Sequence, residues 1–161
     1  MFVLTKKVFI RWPPNLIMDY NHTQTGYLII AALVLVALLF GFILTQIEFH
    51  YALLIVMIAI LCLLVSFLTL NVTVNKNYLR IKFGYGIFKK RFKIREIASA
   101  KTVRNKWYYG WGIRFWWKPR MIIYNISGYG AVEIKLKNKR IYRIGTDEPK
   151  QLEQAIKKRM N

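Results

Sequence analysis

The sequence predicts a membrane-spanning helical hairpin followed by a mainly-β domain of about seven short antiparallel strands and one C-terminal helix. Three observations predict it. Two runs of twenty residues, 26–45 (GYLIIAALVLVALLFGFILT) and 51–70 (YALLIVMIAILCLLVSFLTL), carry no charge. Beyond residue 70 the apolar period changes to two, the signature of strands. The basic excess lies there as well: residues 71–161 hold 23 of the 26 Lys and Arg but only 5 of the 7 Asp and Glu.

The runs come first. At about 1.5 Å of rise per residue, twenty helical residues span roughly 30 Å, the thickness of a bilayer's hydrocarbon core. A chain of 161 residues has too little remaining polypeptide to wrap two such helices in a water-soluble core. The first run starts late, is long and lacks a small-x-small cleavage pattern, so it is read as a retained span rather than a leader. Only Gln46 to His50 separate the runs, which makes an antiparallel hairpin. Lys6, Lys7 and Arg11 precede it and Lys76, Arg80 and Lys82 follow it, while the loop has neither Lys nor Arg. By the positive-inside rule both termini are cytoplasmic in a multi-pass protein of the cell membrane. Ala37 and Gly41, and Cys62 and Ser66, are small-residue pairs suited to helix packing, within the hairpin or in a homo-oligomer. The chain divides into a cytoplasmic arm (1–25), the hairpin (26–70) and a cytoplasmic domain (71–161). Within the arm, Phe2, Leu4, Val8 and Ile10 share one side of an extended chain. Residues 2–11 therefore read as an added strand or an interfacial arm, ended by Trp12-Pro13-Pro14.

The domain follows. Residues 79–83 (LRIKF) alternate apolar and basic, and 88–95 (FKKRFKIR) put Phe88, Lys90, Phe92 and Ile94 on one face. Lys89, Arg91, Lys93 and Arg95 take the other. Gly84-Tyr85-Gly86 supplies the turn between these strands. Further strands are predicted at 72–74, 97–103, 121–125, 131–136 and 140–144, the last two joined by Lys137-Asn138-Lys139. Thr146-Asp147-Glu148-Pro149 starts a helix. Leu152, Ala155 and Ile156 form its apolar stripe, and Lys157, Lys158 and Arg159 suit its C-terminal end.

On "WYYGWGIR", "YNISGYGAVEIKLKNKRIYRIGTDEP" and the following Leu-x-x-Ala-Ile helix, the chain resembles small bacterial membrane proteins that carry a pleckstrin-homology-like domain behind a helical hairpin. The resemblance implies an antiparallel barrel of about seven strands, plugged at one end by its C-terminal helix. In pleckstrin-homology domains that bind phosphoinositides, a lysine near the first turn and alternating basic residues on the second strand grip phosphates. Lys76, Arg80 and Lys82 match that spacing. The short turn Asn75-Lys76-Asn77 departs from it and leaves little room for a head-group pocket, so general attraction to anionic lipid is the expectation.

No catalytic constellation is apparent, and no metal or cofactor is expected. Cys62 is the lone cysteine, and the hairpin topology places His22 and His50 on opposite sides of the membrane. There is no Gly-x-Ser-x-Gly and no phosphate-cradling glycine loop. The function read from these features is a membrane-anchored, non-catalytic interaction module that binds a protein partner or anionic lipid head groups. A membrane-tethered nucleic-acid binder is the alternative, because basic strands with aromatics can stack bases and contact phosphates. The candidate binding residues are Lys76, Arg80, Lys82, Lys89, Arg91, Lys93, Arg95, Trp107, Arg114, Trp116 and Trp117. Residues 107–119 (WYYGWGIRFWWKP) hold seven aromatics and no acid. Trp and Tyr favour the head-group layer. Trp111 and Phe115 are expected to pack inward, with Trp107, Trp116 and Trp117 toward the membrane.

Overall fold

The computed structural model describes residues 20–46 and 50–160. Residues 2–11, read as an added strand or arm, lie outside the described residues. A strand does precede the first helix, but later in the chain: β1 (Tyr20–Thr25) leads directly into α1 (Tyr27–Gln46). After α2 (Tyr51–Val65) come β2 (Thr69–Val74), β3 (Tyr78–Phe83), β4 (Lys89–Lys93), β5 (Ile97–Arg104), β6 (Gly112–Trp117), β7 (Arg120–Asn125), β8 (Gly130–Leu136), β9 (Ile141–Gly145) and α3 (Pro149–Met160). Among the described residues nine strands stand where about seven were expected, the additions being β1 and β6.

Among the described residues, α1 alone has both the length and the composition to cross a membrane. The expected second span, 51–70, is shorter as a helix. Its last helical turn closes where the Ser66 hydroxyl donates to Leu63 O at 2.6 Å. The chain then turns so that Phe67 stacks on Phe88, with ring centroids 4.8 Å apart, and Leu70 enters the core. Fifteen helical residues rise about 22 Å. Apolar residues 66–70 serve the domain rather than the helix.

Two sheets make the domain, in the orders β1-β2-β3-β4 and β5-β8-β9-β7-β6. All neighbours are antiparallel except β7 and β9, which run parallel. Leu70, Val72, Val74, Leu79, Ile81 and Phe83 share the main buried core with Tyr124, Val132, Ile134, Tyr142 and Ile144. Each such side chain contributes roughly 1.5–3 kcal/mol by leaving water. Leu152 and Ile156 of α3 are fully buried in the same core, and α3 lies mainly against β5. Glu153 fastens it there: Thr102 N–H donates to one carboxylate oxygen at 2.7 Å, and Lys157 Nζ donates to the other at 2.6 Å. The Lys157 and Thr102 hydrogen bonds hold the Glu153 carboxyl down at about 2. No ladder joins β4 to β6 or β1 to β5 among the described residues, so the sheets do not close into a barrel.

The crossing of the sheets decides what faces the helices. Along β1, His22 bonds Asp147 just past β9, Gln24 donates to Ser127 O past β7, and Gly26 lies against Ile126. Walking from Tyr20 to Gly26 therefore moves across the ends of β9 and then β7. Strand β6 is next in that order, on the side of the helix bases.

Candidate membrane-facing surface

Both helices leave the domain at one point. Thr25 pairs with Thr69, and Gly26 N–H donates to Leu68 O at 2.8 Å, so α1 departs and α2 returns on adjacent strands. The β3–β4 turn abuts this point. Gly84 N–H donates to Thr69 O at 2.8 Å, and its φ of +41° favours glycine. A Cβ there would sit 2.5 Å from Ser66 O, so the tip fits against the end of α2 only without a side chain. Tyr85 and Ile87 project from that tip, 77% and 69% exposed.

The basic residues lie along the outer face of β3 and β4, as alternation predicted. Lys82 pairs with Lys89, Arg80 with Arg91, and Tyr78 with Lys93. Like charges opposite one another are unfavourable, and an anion laid across them removes the penalty. Tyr78 relieves part of it: the Arg91 guanidinium stands 4.8 Å and that of Arg80 5.7 Å from its ring centroid. Lys90, expected inside, is exposed. It sits on an edge strand beside the open seam, where its ammonium reaches water.

The sequence-derived cations thus separate into two groups. Lys82 and Lys89 sit beside the helix bases, and the Arg80–Arg91 pair lies about 7 Å farther along the strands. Lys76, Lys93 and Arg95 lie at the opposite end of the sheet. With Tyr78, Lys137 and Arg159 they line a concavity of about 850 Å³. Glu96 supplies a carboxylate there, 3.3 Å from Lys93. Lys137 and Arg159 had not been singled out; only the tertiary fold brings them to this rim.

The aromatic stretch divides differently from the expectation. Trp107 and Trp117, expected toward the membrane, are exposed. Trp116 is not free for a membrane. It pairs with buried Met121, its ring lies 4.8 Å from that of Tyr109, and its Nε1–H donates to Lys118 O at 3.0 Å. Tyr109, Met121 and Ile123 with Trp116 form a small second core on the outer side of the β7–β6 sheet. Phe115, expected inside, is half-exposed with its ring 5.3 Å from that of Trp117. The reason is the open seam: Ile113, Phe115 and Trp117 share the β6 face that a closed barrel would cover. Trp111 is half-buried, and its carbonyl accepts from Arg114 Nε at 3.1 Å.

His22 has a structural partner set rather than an interfacial role. Its imidazole bridges Asp147 at 2.5 Å and Glu148 at 3.4 Å, fixing β1 to the start of α3. Burial pushes the neighbouring Tyr20 hydroxyl up to about 12 against the opposing Thr146 hydrogen bond, with the two carboxylates adding to the rise. Comparisons with family models, curated proteins and solved structures gave no match for this chain.

Proposed function

We propose that the protein is a membrane-anchored, non-catalytic interaction module whose basic β domain is held at the cytoplasmic membrane surface. One observation carries this reading: the helix ends sit on adjacent, paired residues, Thr25 and Thr69. If α1 crosses a bilayer, the chain must cross back before Thr69, because both residues belong to one sheet. The second crossing falls to α2, whose fifteen residues are short for a bilayer, a mismatch that local thinning of the lipid accommodates. The Lys and Arg asymmetry places the domain, and both chain ends, in the cytoplasm. With no linker between helices and strands, the domain cannot leave the surface.

The cations then meet different partners. Lys82 and Lys89 lie at the level of lipid phosphates, while Lys76, Lys93, Arg95 and Lys137 face away from the bilayer and fit an acidic protein segment. Two crossed sheets with a C-terminal helix over one open corner also support the pleckstrin-homology-like reading of the domain. Nucleic-acid binding wants stacking aromatics beside the phosphate-gripping cations. Here the exposed Phe115 and Trp117 lie on β6, which supplies no residue to the concavity, and Tyr78 is the one aromatic among the described residues that lines it.

Photoreactive residues introduced at Asn77 and at Lys82 test the assignment in cells. The expected result is a protein adduct through Asn77, lost when Lys76 and Lys93 are changed to Glu, and a lipid adduct through Lys82. Nucleic-acid adducts at Asn77 would establish the tethered nucleic-acid binder instead.

A further inference from the structure

We propose that β6 and the β3–β4 tip form an interfacial membrane-binding face, on which the head-group layer of an anionic bilayer covers Ile113, Phe115, Trp117, Tyr85 and Ile87. The proposal rests on the membrane reading above and adds where, and how deeply, the domain meets lipid.

Placement is the first argument. The contacts along β1 run from the end of β9 to the end of β7 as the chain approaches α1, and β6 lies one strand farther in that direction. At roughly 4.8 Å between strands, this sets β6 at the level of the helix bases. The β3–β4 tip reaches the same level independently, through its contact with Ser66. The two meet in a shallow hollow of about 200 Å³ lined by Ile87, Phe88, Lys90 and Ile113. Tip and strand therefore form one continuous band.

Chemistry is the second argument. An exposed edge strand with an uncovered apolar face is a liability unless something covers it. Lys89 and Lys90 line the hollow with Ile113, while Arg114 lies within β6 and Lys118 directly follows it, cations suited to phosphates. Among the described residues β6 pairs only with β7, so its outer N–H and C=O groups need partners. Hydrocarbon offers none, at several kcal/mol for each unsatisfied group. Phosphates and interfacial water do, so the strand rests in the head-group layer and goes no deeper. A second copy fits poorly, because a β6–β6 contact would bring together the cations on β6 (Arg114), just after it (Lys118) and at the start of β7 (Arg120) from both copies, with no acid among residues 107–120 to offset them.

The test uses the full chain in nanodiscs containing phosphatidylserine, with Trp117 as sole tryptophan and lipids brominated either near the head group or near the bilayer centre. A Phe115→Cys variant carrying a fluorophore, in a Cys62→Ala background, replaces it if the tryptophan substitutions unfold the domain. The expected result is strong quenching by the shallow bromines and little by the deep ones. Changing Arg114 and Lys118 to Glu should weaken the shallow signal by about fivefold for each charge. Equal quenching at both depths overturns the head-group placement. No quenching, in a chain that still resists alkaline extraction from membranes, overturns this surface and leaves the membrane reading standing. A chain released by alkali overturns both. Protection of Trp117 that rises with protein concentration in neutral lipid assigns β6 to a second copy, and protection that needs an added cytosolic protein assigns it to a partner strand. Either result also overturns the proposal.

Discussion

Replacing Phe83 by alanine is expected to lower the unfolding free energy by about 3–5 kcal/mol, a large share of the stability of a small domain. Phe83 is 1% exposed and pairs with Leu70 at the base of the helices. Its ring stands 5.4 Å from that of Phe67 and 6.3 Å from that of Tyr124, so one side chain fills the space between the helix exit and both sheets. The cavity left by its loss is walled by β-sheet backbone on two sides and cannot collapse readily. Denaturant unfolding followed by tryptophan fluorescence in a mild detergent reads the effect as a lowered midpoint at constant slope. Tyr85→Ala, two residues away and exposed, should fall within about 0.5 kcal/mol of the native chain. Equal effects at the two positions would mean that Phe83 is not a core residue.

The second large effect is expected from the addition of one methyl group. Gly145 ends β9 opposite Ala131, and a Cβ there would lie 2.7 Å from Asn125 Cγ and 3.0 Å from Asn125 Cα. Asn125 is buried and donates from Nδ2 to Gly128 O at 3.2 Å, which closes the turn between β7 and β8. Gly145→Ala therefore forces the asparagine out of place, at about 1–3 kcal/mol of overpacking together with the lost hydrogen bond. Asn125→Ala in the same chain should recover part of the loss, because the two sites are in contact and their effects are not additive. Thermal unfolding of the two single variants and the double variant measures the coupling. Additive losses would show that the two residues do not meet.

Where the fold was legible, the reason is periodicity. Residues 79–83 and 131–136 alternate because one face is buried and the other wet, and Leu152 and Ile156 mark the buried stripe of α3. The misses share a different cause. Tyr20–Thr25 (YNHTQT) has no apolar alternation, yet it forms a strand because all six residues pair with β2, their partners 44 to 54 positions away. The end of α2 is invisible in composition, since Phe67, Leu68 and Leu70 serve a helix or a strand equally; only Ser66 hints at the turn. In Phe115-Trp116-Trp117 both faces carry aromatics, so no pattern says which ring points inward. That was decided by Met121 opposite Trp116 and by the open seam beside Phe115. The alternating cations Lys89, Arg91 and Lys93 were plain in the sequence. That Lys89 sits beside the helix bases while Lys93 lies at the far end of the sheet, and that Lys76 and Arg95 meet Lys137 and Arg159, needed the third dimension.

If one sheet receives both ends of a membrane hairpin, as proposed, the hairpin loop and the basic domain lie on opposite sides of the bilayer. Single cysteines at Gln46 and at Lys137, each in a Cys62→Ala background, test it with a membrane-impermeant thiol reagent added to intact cells. Labelling is expected at residue 46, with none at residue 137 until the membrane is opened. Labelling at both positions, or at 137 alone, would overturn the proposed topology.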